Sequence, residues 1–320
     1  MKSNPATVYV GIDVAKATLQ VHLQGRQLET ANRPDGLEKL CGQLAAQPGV
    51  QIVCEATGGY EQALVQAADR ARIPITVANP AQVRAAAQAQ GQRAKTDRID
   101  AAMLTDYGHR FRPQPTPPVT PSQRQLVALT LWLQQLIHVQ AQAKCLAEHH
   151  ADPFVQQQHQ ALLDQQQKLI ATVEAKIKTL LHETKELAQR VECLDEIQGV
   201  GLRTAIIVLA HMPELGRLNR QQTAALAGLA PWTRESGTMK GLRRIGGGRP
   251  EVRVALYMSA LSAARHNPQL RDFYQHLRAK GKLPKVALTA VMRKLLVFMN
   301  HQLKNLAAKQ AAPEKHPAIV

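Results

Sequence analysis

Thr7-Val8-Tyr9-Val10-Gly11-Ile12-Asp13 is the stretch on which the reading of the fold turns. It is short, apolar and rich in β-branched residues, and it ends on a carboxylate, as a buried strand that delivers an acid at its tip would. Outward from it, Leu19 to Leu23 alternates apolar and polar and reads as a second strand paired as a hairpin, with Gln27 to Ala31 as a third. Pro34-Asp35-Gly36 opens a helix through about Ala46, with Leu37, Leu40, Cys41 and Leu44 on one stripe. Val50 to Cys54 is another apolar strand, and it also delivers a carboxylate, Glu55. Gly58-Gly59 turns into a helix carrying Leu64, Val65, Ala67 and Ala68, Ile73 to Val77 is a strand, and Asn79-Pro80 opens an Ala/Gln-rich helix. Strands in a meander, then alternating with helices, describe a mixed α/β sheet.

Next comes Arg93-Ala94-Lys95-Thr96-Asp97-Arg98-Ile99-Asp100-Ala101. On a helix, Asp97 and Asp100 share one face, one turn apart. Like charges so placed repel unless a cation intervenes. Lys95 and Arg98 can supply surface ion pairs; a hard divalent cation such as Mg2+ would accept the carboxylate oxygens directly. In a mixed sheet the ends of neighbouring strands converge, so Asp13, Glu55, Asp97 and Asp100 can meet from three elements. Together they would make an all-oxygen site for one or two Mg2+ ions suited to phosphodiester cleavage. Each acid alone also reads as an ordinary surface charge or cap; the joint pattern is that of a ribonuclease-H-like nuclease core.

Pro113, Pro115, Pro117, Pro118 and Pro121 then mark a stiff linker and a domain boundary. Leu126, Leu129, Leu133, Leu136 and Val139 recur at three- and four-residue intervals. After a break near Asp152-Pro153, Leu162, Leu169, Val173, Ile177, Leu180 and Leu187 do likewise. The pattern is that of two long helices in an antiparallel coiled-coil hairpin, open as to whether the seam is internal or between copies. Ile197-Gln198-Gly199-Val200-Gly201 has the form of a helix-hairpin-helix turn, in which Gly199 and Gly201 would expose backbone N–H groups to a phosphate; an ordinary glycine turn fits equally. A helical stretch from Thr223 to Leu229 leads to Pro231-Trp232, and a polar, glycine-rich loop runs from Thr233 to Pro250. Helices follow over Val252 to Arg265, Gln269 to Ala279 and Lys285 to Leu303, and the tail reads as disordered.

The loop carries Arg234, Ser236, Lys240, Arg243, Arg244 and Arg249. Its cations can clamp a phosphate and stabilise the added charge of a pentavalent transition state. Ser236 could attack phosphorus, but no histidine lies near to activate it; a loop that simply grips the DNA backbone remains the plainer alternative.

The chain's 320 residues carry 40 Lys and Arg against 24 Asp and Glu, a net charge of +16, which favours a polyanionic partner, nucleic acid above all. Aromatics at 3% argue against single-strand binding on a platform of stacked rings. The cysteines, Cys41, Cys54, Cys145 and Cys193, lack Cys-x-x-Cys spacing and read as reduced, mostly buried thiols. No apolar run reaches membrane-spanning length and no apolar signal region opens the chain, so the expected setting is cytoplasmic and nucleoid-associated, away from membranes. Tyr60 reads as a packing residue, and no Arg…His-x-x-Arg…Tyr arrangement suggests tyrosine recombination.

Gly11-Ile12-Asp13-Val14-Ala15-Lys16, Cys54-Glu55-Ala56-Thr57-Gly58-Gly59-Tyr60 and Lys95-Thr96-Asp97-Arg98-Ile99-Asp100-Ala101 resemble the three acidic motifs of the DEDD transposases of the insertion-sequence one-ten family, described as bridge-RNA-guided recombinases. Ile197 to Gly201, Ala227 to Pro231, Glu235-Ser236-Gly237 and Arg253 to Met258 are similar to motifs of the same family's C-terminal half, though Gln198 stands where the family often has proline. The resemblance implies a ribonuclease-H/RuvC-like α/β domain over 1–112, a linker over 113–121, a coiled-coil hairpin over 122–192, a mainly α transposase domain over 193–308 and a disordered tail over 309–320. It implies Mg2+ on Asp13, Glu55, Asp97 and Asp100, and Ser236 as a nucleophile that forms a phosphoserine link to DNA. Lys95, Arg98, Gly199, Gly201, Arg234, Lys240, Arg243, Arg244 and Arg249 become expected nucleic-acid contacts. The implied partners are target and donor DNA, a structured non-coding bridge RNA, and further copies of the chain, a dimer or a synaptic tetramer with composite sites. The implied function is DNA transposition and recombination; a site-specific invertase of the same family and a Holliday-junction-type metal nuclease using the acids alone stand as alternatives.

Overall fold

The computed structural model describes residues 7–92, 96–233, 235–236, 239–241 and 243–311. The chain divides into two units, residues 1–118 and 119–320.

In the first unit, β1 (Val8–Val14), β2 (Thr18–Leu23) and β3 (Arg26–Ala31) form the antiparallel meander, and β4 (Val50–Glu55) and β5 (Ile75–Ala78) join β1 in parallel. The sheet order is β3-β2-β1-β4-β5. β1 and β4 are almost continuously apolar because both their faces are covered. β3 is the polar edge, where Arg26, Gln27 and Glu29 are exposed, the kind of edge that resists pairing with another chain. One face of the sheet packs Val10, Ile12, Val14, Ile52 and Cys54 against α1 (Pro34–Ala45) and α2 (Gln62–Arg70). The other packs Tyr9, Val53 and Ala78 against Val83 of α3 (Pro80–Ala89) and Leu104 of α4 (Asp97–Phe111).

The proline-rich segment is not a free spacer. Its first half lies along β5: Thr116 N–H donates to the Ile75 carbonyl (2.8 Å), Val77 N–H donates to the Thr116 hydroxyl (2.9 Å), and Gln51 donates to the Pro113 carbonyl (2.8 Å). Proline does not donate, so the segment's remaining polar groups close the sheet edge without offering a new one.

The second unit is helical. Its helices are α5 (Pro121–Ala147), α6 (Pro153–Glu183), α7 (Lys185–Asp195), α8 (Leu202–His211), α9 (Arg220–Leu226), α10 (Pro250–His266), α11 (Pro268–Ala279) and α12 (Pro284–Ala311). One apolar cluster runs from Leu126 through Ile177, Leu194, Leu209 and Leu256 to Leu303, so the hairpin and the helices after it share a core. α8 lies at its centre, with every residue from Ala205 to Ala210 buried. Prolines that interrupt the apolar patterns mostly start helices: Pro34, Pro80, Pro121, Pro153, Pro250 and Pro268 each occupy a first turn, where a missing N–H costs nothing.

Three expectations change. The second long helix ends at Glu183, and Thr184, with non-helical backbone (φ −122°, ψ 83°), starts α7, so Leu187 belongs to a separate helix. Of the apolar positions assigned to the hairpin seam, Val139, Leu162 and Leu169 are exposed and Leu129 is half-buried, while Leu126, Leu133, Leu136, Val173, Ile177 and Leu180 close it together with Ile170, which the pattern did not name. At the C-terminus, Lys309 to Ala311 continue α12, and the rest of the expected tail, 312–320, lies outside the described residues. No helix among the described residues is long and apolar enough to cross a membrane.

Candidate active site

The first candidate site is set by strand parity. Successive strand side chains point to opposite faces, so Tyr9, Gly11 and Asp13 share the α4 face, and Val53 and Glu55 share it too. The parallel register pairs Gly11 with Val53 and Ile12 with Cys54, which puts Asp13 and Glu55 side by side at the next position. Above them runs α4. A Cβ on Gly11 would fall 2.0 Å from the Ala101 carbonyl oxygen, so the helix backbone rests directly on β1 and only glycine fits beneath it. Asp97 and Ala101 are four apart, as are Asp100 and Leu104. Both acids therefore continue the sheet-facing stripe of Ala101, Leu104, Thr105 and Gly108 by one turn toward the N-terminus. Thr96 caps that turn by accepting from Ile99 N–H (3.3 Å), and the helix dipole there favours the two carboxylates.

Asp13, Glu55 and Asp100 are half-buried and Asp97 is exposed. Four carboxylates are a donor set suited to a hard divalent cation. Among the described residues, however, no three His, Cys, Asp or Glu side chains stand close enough together to form a metal-ligating group. The elements converge; the side chains do not close on one point. Cys54, beside Glu55, is no substitute ligand. Burial, with smaller contributions from the Glu61 and Glu55 charges, pushes its thiol up to about 12.

The second candidate is the segment between α9 and α10. It is not an irregular loop. β6 (Pro231–Trp232) pairs with β9 (Arg244–Ile245), and beyond them β7 (Glu235–Ser236) pairs with β8 (Met239–Lys240), so Ser236 stands on a small antiparallel ribbon. The root of the ribbon is clamped. A Cβ on Gly248 would lie 2.2 Å from Gly228 N, Arg249 N–H donates to the Leu226 carbonyl (3.0 Å), and Arg253 donates to the carbonyls of Ala227 and Gly247. Arg249 is ion-paired to Glu214, so it serves the root first. Arg98, Arg243 and Arg244 are exposed. Lys95 and Arg234 lie outside the described residues, as does the placement of the Lys240 side chain.

The Ile197–Gly201 turn joins α7 to α8. Gly199 has φ +99°, and a Cβ there would lie 2.6 Å from Ala263 on α10, so its first requirement is close packing. Gly201 caps α8 with open space around it.

Two family profiles match the chain, a DEDD-type profile described as transposase over residues 10–152 and one described as the transposase IS116/IS110/IS902 family over residues 191–275. Together they span well over half of the chain and contain all four acids and the Ser236 ribbon. The chain belongs to the IS116/IS110/IS902 transposase family. This transposase is accordingly an enzyme of the transposase and DNA recombinase class. It is 29% identical over 318 residues to the pilin gene-inverting protein of Moraxella bovis, covering 91% of this chain and 94% of that one; the Moraxella lacunata protein of the same name matches alike. An uncharacterized 43.6 kDa protein of insertion element IS110 from Streptomyces coelicolor is 31% identical over 114 residues, 35% of this chain and 28% of that one. A chain of T. thermophilus RuvC in complex with Holliday junction substrate is matched at 15% identity and a TM-score of 0.25, over 34% of this chain and 99% of that one, a likeness too slight to carry an argument.

Four residues around the candidate acidic site were not legible from the sequence. The Thr105 hydroxyl accepts from Gly11 N–H (2.9 Å) and stands 2.9 Å from His22 Nδ1 and 3.1 Å from the His22 carbonyl, tying α4 to β1 and β2. Asn32 donates to the Ala15 carbonyl (2.9 Å) and the Tyr60 carbonyl (3.2 Å), joining the turns that follow Asp13 and Glu55. Glu61 shapes the second of those turns by accepting from Thr57 N–H, the Thr57 hydroxyl and Gly59 N–H (3.0, 2.8 and 2.9 Å). The Thr57-Gly58-Gly59 signature held a hint of such a turn; Thr105, His22 and Asn32 carry no local signal. Tyr60, read from the sequence as a packing residue, is 49% exposed on that turn, because its two glycines carry it off the sheet.

Proposed function

We propose that this transposase cuts and exchanges DNA strands through Ser236, with Asp13, Glu55, Asp97 and Asp100 holding a divalent cation, Mg2+ by the chemistry of the donors, in a ribonuclease-H/RuvC-like domain. The observation that carries the reading is the parity of β1 and β4, which sets Asp13 and Glu55 side by side beneath the helix whose first turn bears Asp97 and Asp100. The strand order, an antiparallel meander extended by two parallel strands with α4 across it, supports the domain assignment. A bound divalent cation supplies Lewis-acid stabilisation of charge on the phosphate.

The serine step balances on this chain's own groups and the DNA. Ser236 Oγ bonds to phosphorus as one strand P–O bond breaks. The serine proton passes to a base, and the departing strand oxygen is protonated to a hydroxyl. Attack by a hydroxyl of another strand on the phosphoserine reverses the chemistry, so the bond energy is kept and no external energy source is required. Arg243 and Arg244 would offset charge on the phosphorus oxygens. The base would be a carboxylate of the acidic set, supplied by another copy of the chain in a composite site. The exposed Val139, Leu162 and Leu169 favour such association, and the net charge of +16 with few aromatics suits a guide RNA whose base pairing reads sequence while the protein holds backbone.

A second reading, site-specific DNA inversion, is favoured by the nearly full-length match to the pilin gene-inverting proteins; it changes the substrate and keeps the chemistry. The test is a denaturing gel of labelled element-end DNA with Mg2+ and flanking-element RNA, comparing wild type, Ser236→Ala and Asp97→Ala. The expected result is a protease-sensitive protein–DNA adduct that both substitutions abolish. Free-ended cleavage that survives Ser236→Ala but not Asp97→Ala would instead mean a junction-type metal nuclease.

A further inference from the structure

Trp232 is one of two tryptophans in the chain, and it is 67% exposed. A single exposed apolar residue means little by itself. The surroundings of this one say more. The antiparallel register pairs Trp232 directly with Arg244, so the indole and the guanidinium lie on the same face of the ribbon. Arg244 is exposed as well, and Arg243 beside it. The opposite face carries the pair Pro231 and Ile245, also exposed, so neither side of the ribbon is packed on the core. What holds the ribbon in place is its clamped root, where Gly228, Gly248 and Arg253 meet. A clamped base thus presents an aromatic plane and a cation to solvent.

An aromatic face next to a guanidinium has the two properties that an unpaired nucleotide recognises. The base stacks on the ring whatever its identity, and the phosphate takes the cation. Duplex DNA offers only the second, because its bases are already stacked on each other. With aromatics at 3% of the chain there is no row of rings for a long strand, only a seat for one nucleotide.

We propose that Trp232 and Arg244 form a seat for a single unpaired nucleotide of the DNA strand handled by the Ser236 ribbon. The inference rests on the recombinase reading for its choice of DNA, and not for its geometry. Holding a base out of the stack beside the reacting strand would favour substrates already melted or distorted at the cut.

The experiment uses the full-length protein with Trp132→Phe, which leaves Trp232 as the sole tryptophan. It is titrated with one duplex DNA, the same duplex with a three-nucleotide unpaired bubble, and RNA of the bubble's sequence. The expected result is quenching of Trp232 emission by bubble DNA and not by intact duplex. Trp232→Ala should lower bubble-DNA affinity on the order of tenfold with duplex affinity unchanged, and Trp232→Phe should restore it. Arg244→Ala should weaken both substrates and lower the salt slope by about one. Bubble DNA that binds Trp232→Ala as well as wild type overturns the seat. So does quenching by RNA alone, or quenching on raising protein concentration without nucleic acid, which would mean that a protein surface covers the ring. Ser236→Ala in the same background separates the two readings: normal quenching with surviving cleavage sinks the serine mechanism and leaves the seat standing.

Discussion

Thr105 and Gly11 show how little chain is needed to hold a site. The hydroxyl satisfies a buried strand N–H, and the missing Cβ lets the helix backbone rest on the strand. Thr105→Val keeps the volume and removes the acceptor, so Gly11 N–H is stranded; the expected loss is about 1–3 kcal/mol, read by denaturant unfolding, with Thr105→Ser recovering most of it. Gly11→Ala should be worse, because a methyl group 2.0 Å from the Ala101 oxygen forces α4 off the sheet. Amide exchange in α4 unchanged by that substitution would refute the contact. Glu61 gives a pH test. Burial pushes its carboxyl up, but the hydrogen bonds from the backbone, Thr57 and Gln62 outweigh this and hold it below the ordinary glutamate value. A lowered folded-state pKa stabilises above the unfolded value and is lost as pH falls through the folded one. Glu61→Gln should therefore cost stability at neutral pH, and its gap from wild type should shrink below about pH 4.3, the ordinary glutamate value. A gap constant in Tm from pH 3 to 7 would mean that the charge is not what holds the Thr57–Gly59 turn.

At the scale of elements, the α5–α6 hairpin carries more apolar residues than its own seam uses. Heptad spacing relates Val139 to Leu146 and Leu162 to Leu169, all exposed, beside a seam already closed by Leu133, Leu136, Ile170 and Val173. Antiparallel pairing sets Gln140 against Gln167, so Val139 and Leu169 lie at nearly the same level. Val139→Glu with Leu169→Glu should lower the apparent mass in sedimentation while helicity by circular dichroism is kept. A mass unchanged by both would mean that this surface meets no second copy. Periodicity named Val139, Leu162 and Leu169 as apolar and helical, and they lie on α5 and α6. It could not say which of two adjacent faces would be consumed inside the hairpin, since a 3.6-residue period marks a stripe without its neighbour. The ribbon is the opposite case: Ser236, the exposed Arg243 and Arg244, and the glycines were visible as a loop, but its two-residue strands are too short to leave an alternation.

For the whole molecule, the sequence by itself determined the mixed α/β first unit, the helical remainder and the basic balance, and it singled out the four acids and Ser236 as candidates. Strand-Asp13, strand-Glu55 and the Asp97/Asp100 turn are local patterns, written in period-2 and period-3.6 spacing and in the Thr96 cap, and local patterns survive reading along one dimension. Only the tertiary structure decided which face of the sheet the acids share, that Thr105, Asn32 and Glu61 brace them, that the proline segment seals β5, and that one core joins the hairpin to the C-terminal helices. Each of these joins residues far apart in the chain, as Gly11 and Thr105 are. Such meetings depend on how close two backbones come and on which polar groups are left to pair, quantities that no spacing along the chain contains.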